Sequence, residues 1–183
     1  MRFYKTGKSI IKASLEDIQN GQWCKGKLAE LGTCAVAVDA KSVPYTAEID
    51  EDFAGRHRLW TSKSKLEDVQ KKDPMGCAMG LIAMHAGIGK EIVVRDRKTK
   101  EDIVFFVPRY ANFKDGPGVK AAMLALYNAI PATWRKTRER YEGERADPTN
   151  SDHVMGYIIG YNDDECDQAK AKRWFKKALD SFS

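Results

Sequence analysis

Residues 73–85 read DPMGCAMGLIAMH, and this stretch decides how the fold is interpreted. Asp73 is a favoured N-cap residue and Pro74 suits the first helical position, so the two together predict the start of a helix. The residues that follow are apolar nearly all round, and a helix without a polar face is expected at the centre of a core. Gly76 and Gly80 would let another element approach it closely. The sequence therefore predicts a central helix over this stretch.

Amphipathic patterns predict further helices on both sides of the central one. Ile11, Leu15 and Ile18 recur at helical spacing within residues 8–20, and Gly21 is a suitable stop. Helices are also predicted at residues 23–31, 119–130 and 132–141. A last helix is predicted from the apolar positions that share one face near the end of the chain: Ala171, Trp174, Phe175, Ala178, Leu179 and Phe182.

Two β-rich runs, Glu91–Arg95 and Asp102–Val107, flank a short polar segment and predict a β-hairpin at about residues 91–107. Residues 39–63 have no regular pattern and are predicted as a long loop, with a short strand at 45–49 as an alternative. The order of helices, hairpin and helices predicts an α+β fold, mainly helical, in a single domain that covers residues 1–183.

The composition is that of an ordinary globular protein: 183 residues, of which 43% are hydrophobic and 31% charged. No apolar stretch approaches the ~20 residues of a membrane span. The first residues lack the apolar region of a signal peptide. We therefore expect a soluble, cytoplasmic protein without a membrane partner.

The formal net charge of +5 is spread along the chain and is not concentrated in a tail. Residues 1–89 carry 13 basic and 11 acidic residues, and residues 90–183 carry 18 and 15. Phosphate binding requires clustered cations, so this distribution weakens a nucleic-acid interpretation.

Cysteines and histidines are too scattered to predict a metal site or a cofactor. Zinc ligands usually come in closely spaced pairs, and no such pair occurs among Cys24, Cys34, Cys77, Cys166, His57, His85 and His153. The acidic run at residues 163–167 lacks the glycine of a calcium loop. We interpret it as helix capping, and we interpret His85 as a core histidine with a satisfied hydrogen bond.

Three short motifs carry a family resemblance: Trp23-Cys24, then Cys77-Ala78 with Gly80, then residues 161–163, Tyr-Asn-Asp, before the last helix. With the first amphipathic helix, they resemble an uncharacterised domain family of actinobacterial and phage proteins. That family shows a Trp-Cys pair, a Cys-Ala-x-Gly helix and a Trp-Asn-Asp turn. The resemblance implies a compact helical fold and a bacterial or phage origin, hence the host cytoplasm for a phage protein. It implies no chemistry.

A thiol-dependent hydrolase is one functional hypothesis. Cys24 stands at the start of a predicted helix, where the helix dipole would stabilise a thiolate. His153 precedes an apolar run that looks like the His-bearing strand of papain-like hydrolases, and Asn162 or Asp152 could orient its imidazole. The alternative is that Cys24 is a buried apolar residue and His153 a surface residue.

The leading hypothesis is a non-enzymatic binding or host-modulating protein with a macromolecular partner, first of all another protein. Cations beside an aromatic side chain in a loop could grip such a partner, or stack on a base in a weak nucleic-acid binder. The candidate residues are Arg56, Arg58, Trp60 and Lys63 in the long loop, with Arg135 and Arg138 as auxiliaries.

Overall fold

The computed structural model describes residues 3–25, 76–89, 116–143 and 145–182 with their side chains. Elsewhere it describes only the backbone of short strands, namely residues 29–30, 36–37, 48–51, 57–60, 75, 90–95 and 102–108.

The described chain contains six α-helices: α1 Gly7–Gln19, α2 Ala78–Ala86, α3 Pro117–Ala129, α4 Ala132–Glu142, α5 Ser151–Gly160 and α6 Gln168–Asp180. A π-helical turn, Tyr161–Glu165, continues α5. None of the helices in the described part of the chain combines the length and the apolar character that a membrane crossing requires.

The strands are β1 Ala29–Glu30, β2 Val36–Ala37, β3 Glu48–Glu51, β4 His57–Trp60, β5 Met75–Gly76, β6 Gly89–Arg95 and β7 Asp102–Pro108. β1 pairs with β5, β3 pairs with β4, and β7 lies between β2 and β6. All of these pairings are antiparallel.

One hydrophobic core is built by α1, α2, α3, α5 and α6. α1 packs against α2, α3 and α6, while α3 also contacts α5 and α6. Every residue from Ala78 to Met84 is buried, so α2 is the central helix that its apolar sequence predicts. The opposite arrangement holds for α4, which has no buried residue and lies on the surface.

Side chains at the helix ends explain where α2 and α6 begin. Cys77 is the N-cap of α2, and its Sγ accepts a hydrogen bond from the Gly80 N–H at 3.4 Å. Asp167 is the N-cap of α6, and its carboxylate accepts from the Lys170 N–H at 2.6 Å. The capping interpretation of the acidic run is thereby confirmed for Asp167 alone, whose side-chain acceptor satisfies an N–H that the helix leaves unpaired, whereas residues 163–165 belong to the π-helical turn.

Close approach between α3 and the chain entering α1 depends on glycine. A Cβ at Gly118 would collide with the carbonyl oxygen of Lys5. A Cβ on Gly7 would lie 2.8 Å from the Cβ of Ala121. Since the first obstacle is backbone, a side chain at Gly118 would force the two segments apart.

The predicted α+β class with a β-hairpin is wrong. Among the residues whose side chains are described, 72% are helical and 3% are in strands, with six helices and no sheet. The backbone of β6 runs antiparallel to β7, with Ile92 opposite Phe105, but the residues between the two strands lie outside the described part. Every described core side chain comes from a helix, a helix cap or a connecting segment. The class is mainly helical because the helices bury their apolar stripes against one another.

Three local predictions also need correction. The helix predicted at residues 23–31 is absent, because Trp23 forms a parallel bridge with Gly76 and residues 29–30 form β1. The central helix begins at Ala78, since residues 75–76 belong to β5. The predicted loop at 39–63 contains the strands β3 and β4, with Asp50 opposite Arg58.

The packing of Gly118 yields a matched pair of substitutions. Gly118→Ala is expected to lower the free energy of unfolding by about 1–3 kcal/mol, because the new methyl group meets backbone. Gly156→Ala, in α5, is the control: a Cβ there has nothing within 4 Å, and alanine favours a helix by ~0.5–1 kcal/mol. Urea denaturation measures both changes. Equal effects of the two substitutions would contradict the close approach.

Candidate functional site

Asn162 lies where three segments that are distant in the sequence meet. It is fully buried, at 0% exposure. Its Oδ1 accepts hydrogen bonds from Trp23 Nε1 at 2.8 Å and from the Ala78 N–H at 3.1 Å. Its Nδ2 donates to the carbonyl oxygen of Cys24 at 3.5 Å and to Asp163 Oδ1 at 2.8 Å. The carboxamide thus uses both of its donor hydrogens and both acceptor positions of its oxygen.

The backbone around this junction holds its members in place. The Gly76 N–H donates to the Gln22 carbonyl and the Cys24 N–H donates to the Gly76 carbonyl, both at 3.1 Å. These two bonds set the segment that contains Trp23 alongside the start of α2. On the other side, the π-helical turn carries Asn162 into the core directly after α5. The three motifs of the family resemblance therefore converge on one carboxamide.

The residues of the hydrolase hypothesis are arranged differently from what it requires. Cys24 is 4% exposed and does not begin a helix, so it receives no help from a helix dipole. The run after His153 is α5 and not a strand, and the His153 ring accepts at Nδ1 from the Asp147 N–H at 3.3 Å. Asn162 does meet Cys24, but it binds the carbonyl oxygen and not the thiol. This geometry does not favour a hydrolase.

The described thiols are buried. Cys24, Cys77 and Cys166 are each 4% exposed, whereas Cys34 lies outside the described residues. Burial raises the pKa of the Cys166 thiol to about 12, so it stays protonated near neutral pH. Within the part of the chain that the structure describes, no group of three or more His, Cys, Asp or Glu residues could hold a metal ion.

His85 and Glu165 of the acidic run are both paired with neighbouring side chains. His85 Nε2 lies 2.7 Å from Asp17 Oδ2, which joins α2 to α1 and agrees with the prediction of a satisfied core histidine. Glu165 Oε2 accepts from Lys170 Nζ at 2.8 Å. These carboxylates serve helix packing and helix ends.

Arg138, one of the predicted auxiliary residues, is directed inward. Its Cζ lies 5.5 Å from the ring centroid of Trp134 and 5.6 Å from that of Tyr157. Its guanidinium also pairs with Glu142 at 2.7 Å. Gly160 makes room for this side chain, since a Cβ there would collide with Arg138 Nη1. Arg138 therefore fixes α4 to α5 by cation–π contacts and an ion pair.

Arg135, the other auxiliary, is likewise engaged with an aromatic ring: its Cζ lies 4.8 Å from the ring centroid of Tyr127. That ring belongs to a continuous row of edge-to-face aromatics in the order Tyr127, Tyr157, Trp134, Tyr161, Trp174 and Phe175, with neighbouring centroids 5.0–6.3 Å apart. Both arginines thus reinforce the attachment of α4.

The predicted binding loop is described only in part. Arg56 and Lys63 lie outside the described residues. Arg58 and Trp60 belong to β4, of which only the backbone is described, with Glu48 opposite Trp60. Binding through this loop stays a prediction.

A basic surface that the sequence analysis missed lies on the outer side of α6, and we name it the α6 basic face. Its four side chains are all exposed: Lys172, Arg173, Lys176 and Lys177. Trp174 and Phe175 are buried on the other side, and Trp174 Nε1 donates to the Leu126 carbonyl at 2.9 Å. The apolar stripe of α6 was itself a sufficient signal, because a stripe that faces the core sends the intervening lysines and arginine outward.

The junction at Asn162 can be tested by removing its carboxamide. Asn162→Ala is expected to lower the free energy of unfolding by about 2–4 kcal/mol, because buried donors of Trp23 and Ala78 lose their acceptor. Asn150→Ala is the control, since Asn150 caps α5 at an exposed site and its loss costs about 1 kcal/mol. Both values come from urea denaturation. The junction is not needed for stability if the two variants are equally stable.

Comparison with known proteins adds no relative: no family model, no curated protein and no solved structure matches this chain.

Proposed function

We propose that this protein is a non-enzymatic binding protein that docks an acidic protein surface on the α6 basic face. The observation that carries the proposal is the charge pattern of α6. Lys172 and Lys176 are four residues apart, as are Arg173 and Lys177, and all four are exposed. Like charges at this spacing repel and cost a helix ~0.2–0.5 kcal/mol per pair. An anionic partner would turn that cost into attraction.

The α6 basic face is a rigid platform. Ala171, Phe175 and Ala178 are fully buried on the opposite side of the helix, and Lys177 Nζ donates to the Ala129 carbonyl at 3.2 Å. Since the helix is already ordered, binding costs little conformational entropy beyond the exposed side chains.

Charge in the surroundings extends the face. Lys8 of α1 is exposed, and its Nζ donates to the Phe182 carbonyl at 3.4 Å, just beyond the end of α6. Lys170, at the other end, is paired with Glu165, and Asp180 stands at the last position of the helix. The unpaired positive charge is therefore concentrated in the middle of α6.

A protein partner fits this face better than a nucleic acid. The four cations lie within residues 172–177, a rise of about 8 Å along the helix, which spans few phosphates. The aromatic side chains of α6 are buried beneath it, so none is offered for stacking on a base. Clustered carboxylates on a protein surface suit a patch of this size.

The family resemblance belongs to the same proposal. From the resemblance we infer a phage or bacterial origin and a host-directed binding role, and the three motifs that carry it meet at Asn162.

Binding of a labelled peptide of alternating Glu and Asp, followed by fluorescence anisotropy at several salt concentrations, tests the proposal. The double charge reversal Lys172→Glu and Lys176→Glu is expected to weaken binding about 10-fold or more, the effect of ~1.4 kcal/mol. The control is Lys136→Glu with Arg140→Glu, which makes the same charge change on the exposed side of α4 and should alter affinity less than about 3-fold.

Two results would contradict the proposal. Equal losses in both double variants would show attraction by net charge and not by the α6 basic face. If duplex DNA or RNA bound more tightly than the acidic peptide at the same salt concentration, the partner would be a nucleic acid and not a protein.

A further inference from the structure

We propose that Cys24 and Cys77 form a dithiol pair that closes to a disulfide in exchange with a low-molecular-weight disulfide such as oxidised glutathione. The pair is a modification site independent of the proposed binding function. It rests on the backbone pairing at the start of α2 and on the placement of both residues beside Asn162.

Each of the two cysteines directly follows one partner of the same backbone bridge. Trp23 and Gly76 are partners in a parallel bridge with two hydrogen bonds of 3.1 Å. The next residue on each side is a cysteine, and the backbone at Cys77 stays extended, with φ −67° and ψ 176°. Paired strands lie ~4.8 Å apart. That spacing falls inside the ~4.4–6.8 Å between Cα atoms that a disulfide requires.

The two side chains also share an environment. Opposed residues of a parallel pair project to the same side of the ladder. Both cysteines are 4% exposed and belong to the same core. Asn162 contacts the carbonyl oxygen of Cys24 and the N–H of Ala78, which directly follows Cys77. One buried carboxamide therefore holds the two positions together.

The N-cap position favours Cys77 as the attacking thiol. Its Sγ accepts from the Gly80 N–H in the first turn of α2, so it faces the positive end of the helix dipole. The Cys77 thiolate attacks one sulfur of the small disulfide, forms a mixed disulfide and releases one thiolate. The Cys24 thiolate then attacks the Cys77 sulfur and releases the second thiolate. Both protons pass to the released thiols, so the dithiol is oxidised by two electrons and the small disulfide is reduced to two thiols.

Access to the pair requires a local opening. Both thiols are nearly excluded from solvent, so exchange proceeds when the segment Gln22–Lys25 separates from the start of α2. We therefore expect the reaction to be slow. Asn162→Ala is expected to accelerate it, because this substitution removes hydrogen bonds that hold residues 22–25 against the start of α2. If the two thiols were already exposed to solvent, Asn162→Ala would not change the rate of the reaction.

The test uses the full chain in its native, reduced form. It is treated with oxidised glutathione at about pH 8, trapped with N-ethylmaleimide and digested with trypsin without reduction. The expected product joins peptide 13–25, which contains Cys24, to peptide 73–90, which contains Cys77. Cys166, in peptide 146–170, is the internal control and should remain a free thiol, since its pKa is about 12.

The same oxidation of the chain unfolded in urea gives the reference distribution of linked peptides. Enrichment of the 24–77 link in the native chain over this reference supports the pair. The proposal is overturned if Cys24 links mainly to Cys34, if both thiols end as glutathione adducts, or if the native and unfolded distributions agree.

The melting temperature measures how the disulfide affects the stability of the protein. Because the disulfide would enclose residues 25–76, the oxidised protein is expected to melt several degrees higher than the reduced one, and dithiothreitol should reverse the shift. Cys166→Ser is expected to keep this shift, whereas Cys24→Ser is expected to lose it. A melting temperature that oxidation leaves unchanged in the wild type, despite a detected link, would contradict the geometry.

Discussion

The buried carboxamide of Asn162 is the interaction on which the rest of the structure depends. A polar group at 0% exposure is tolerated only when its hydrogen bonds are made, and here they reach the indole of Trp23, the main chain of Cys24 and the first residue of α2. An apolar residue could fill the same volume, but it could not specify which three segments meet. Asn162 thus determines which segments pack together, in addition to stabilising the fold, because its hydrogen bonds are all made only in this arrangement of the three segments.

A second constraint separates the inner and outer sides of the C-terminal helices. The row of aromatic rings from Tyr127 to Phe175 links α3, α4, α5 and α6. Arg135 and Arg138 make cation–π contacts with rings of that row, although the sequence around them resembles a solvated basic helix. On α6 the outcome is the reverse, since the aromatics fill the interior and the cations stay outside. On α4, the direction of these two arginine side chains is therefore set by the rings that accept their guanidinium groups.

The sequence predicts the helices well and the junctions poorly. α1, α4 and α6 are found where their spacing or composition indicates, since an amphipathic stripe is a local signal. The helix predicted after Trp23 fails because the partner that straightens this segment, Gly76, is far away in the sequence. The sequence suggests Asn162, or alternatively Asp152, only as a residue that could orient the His153 imidazole, because the partners of a buried carboxamide follow no periodic sequence pattern. The contacts of Arg138 with Trp134 and Tyr157 are not visible in the sequence, because a linear charge count ignores the direction of side chains on a helix. Residues 56 and 61–63 lie outside the described part, so binding by that loop is untested.

The position of Gly76 bears on how the chain between Trp23 and α2 can change in length during evolution. Gly76 lies between Trp23, its parallel partner, and Ala29, its antiparallel partner, so two positions before residue 30 meet the chain again at Gly76. Residues 26–75 therefore span a very short distance between their two anchored ends. A segment with coincident ends can be exchanged, lengthened or shortened during evolution without displacing the helices that flank it. Changes in the length of residues 26–75 are therefore expected to leave the helices in place, as long as both ends still meet at Gly76 and residues 36–37 still pair with β7.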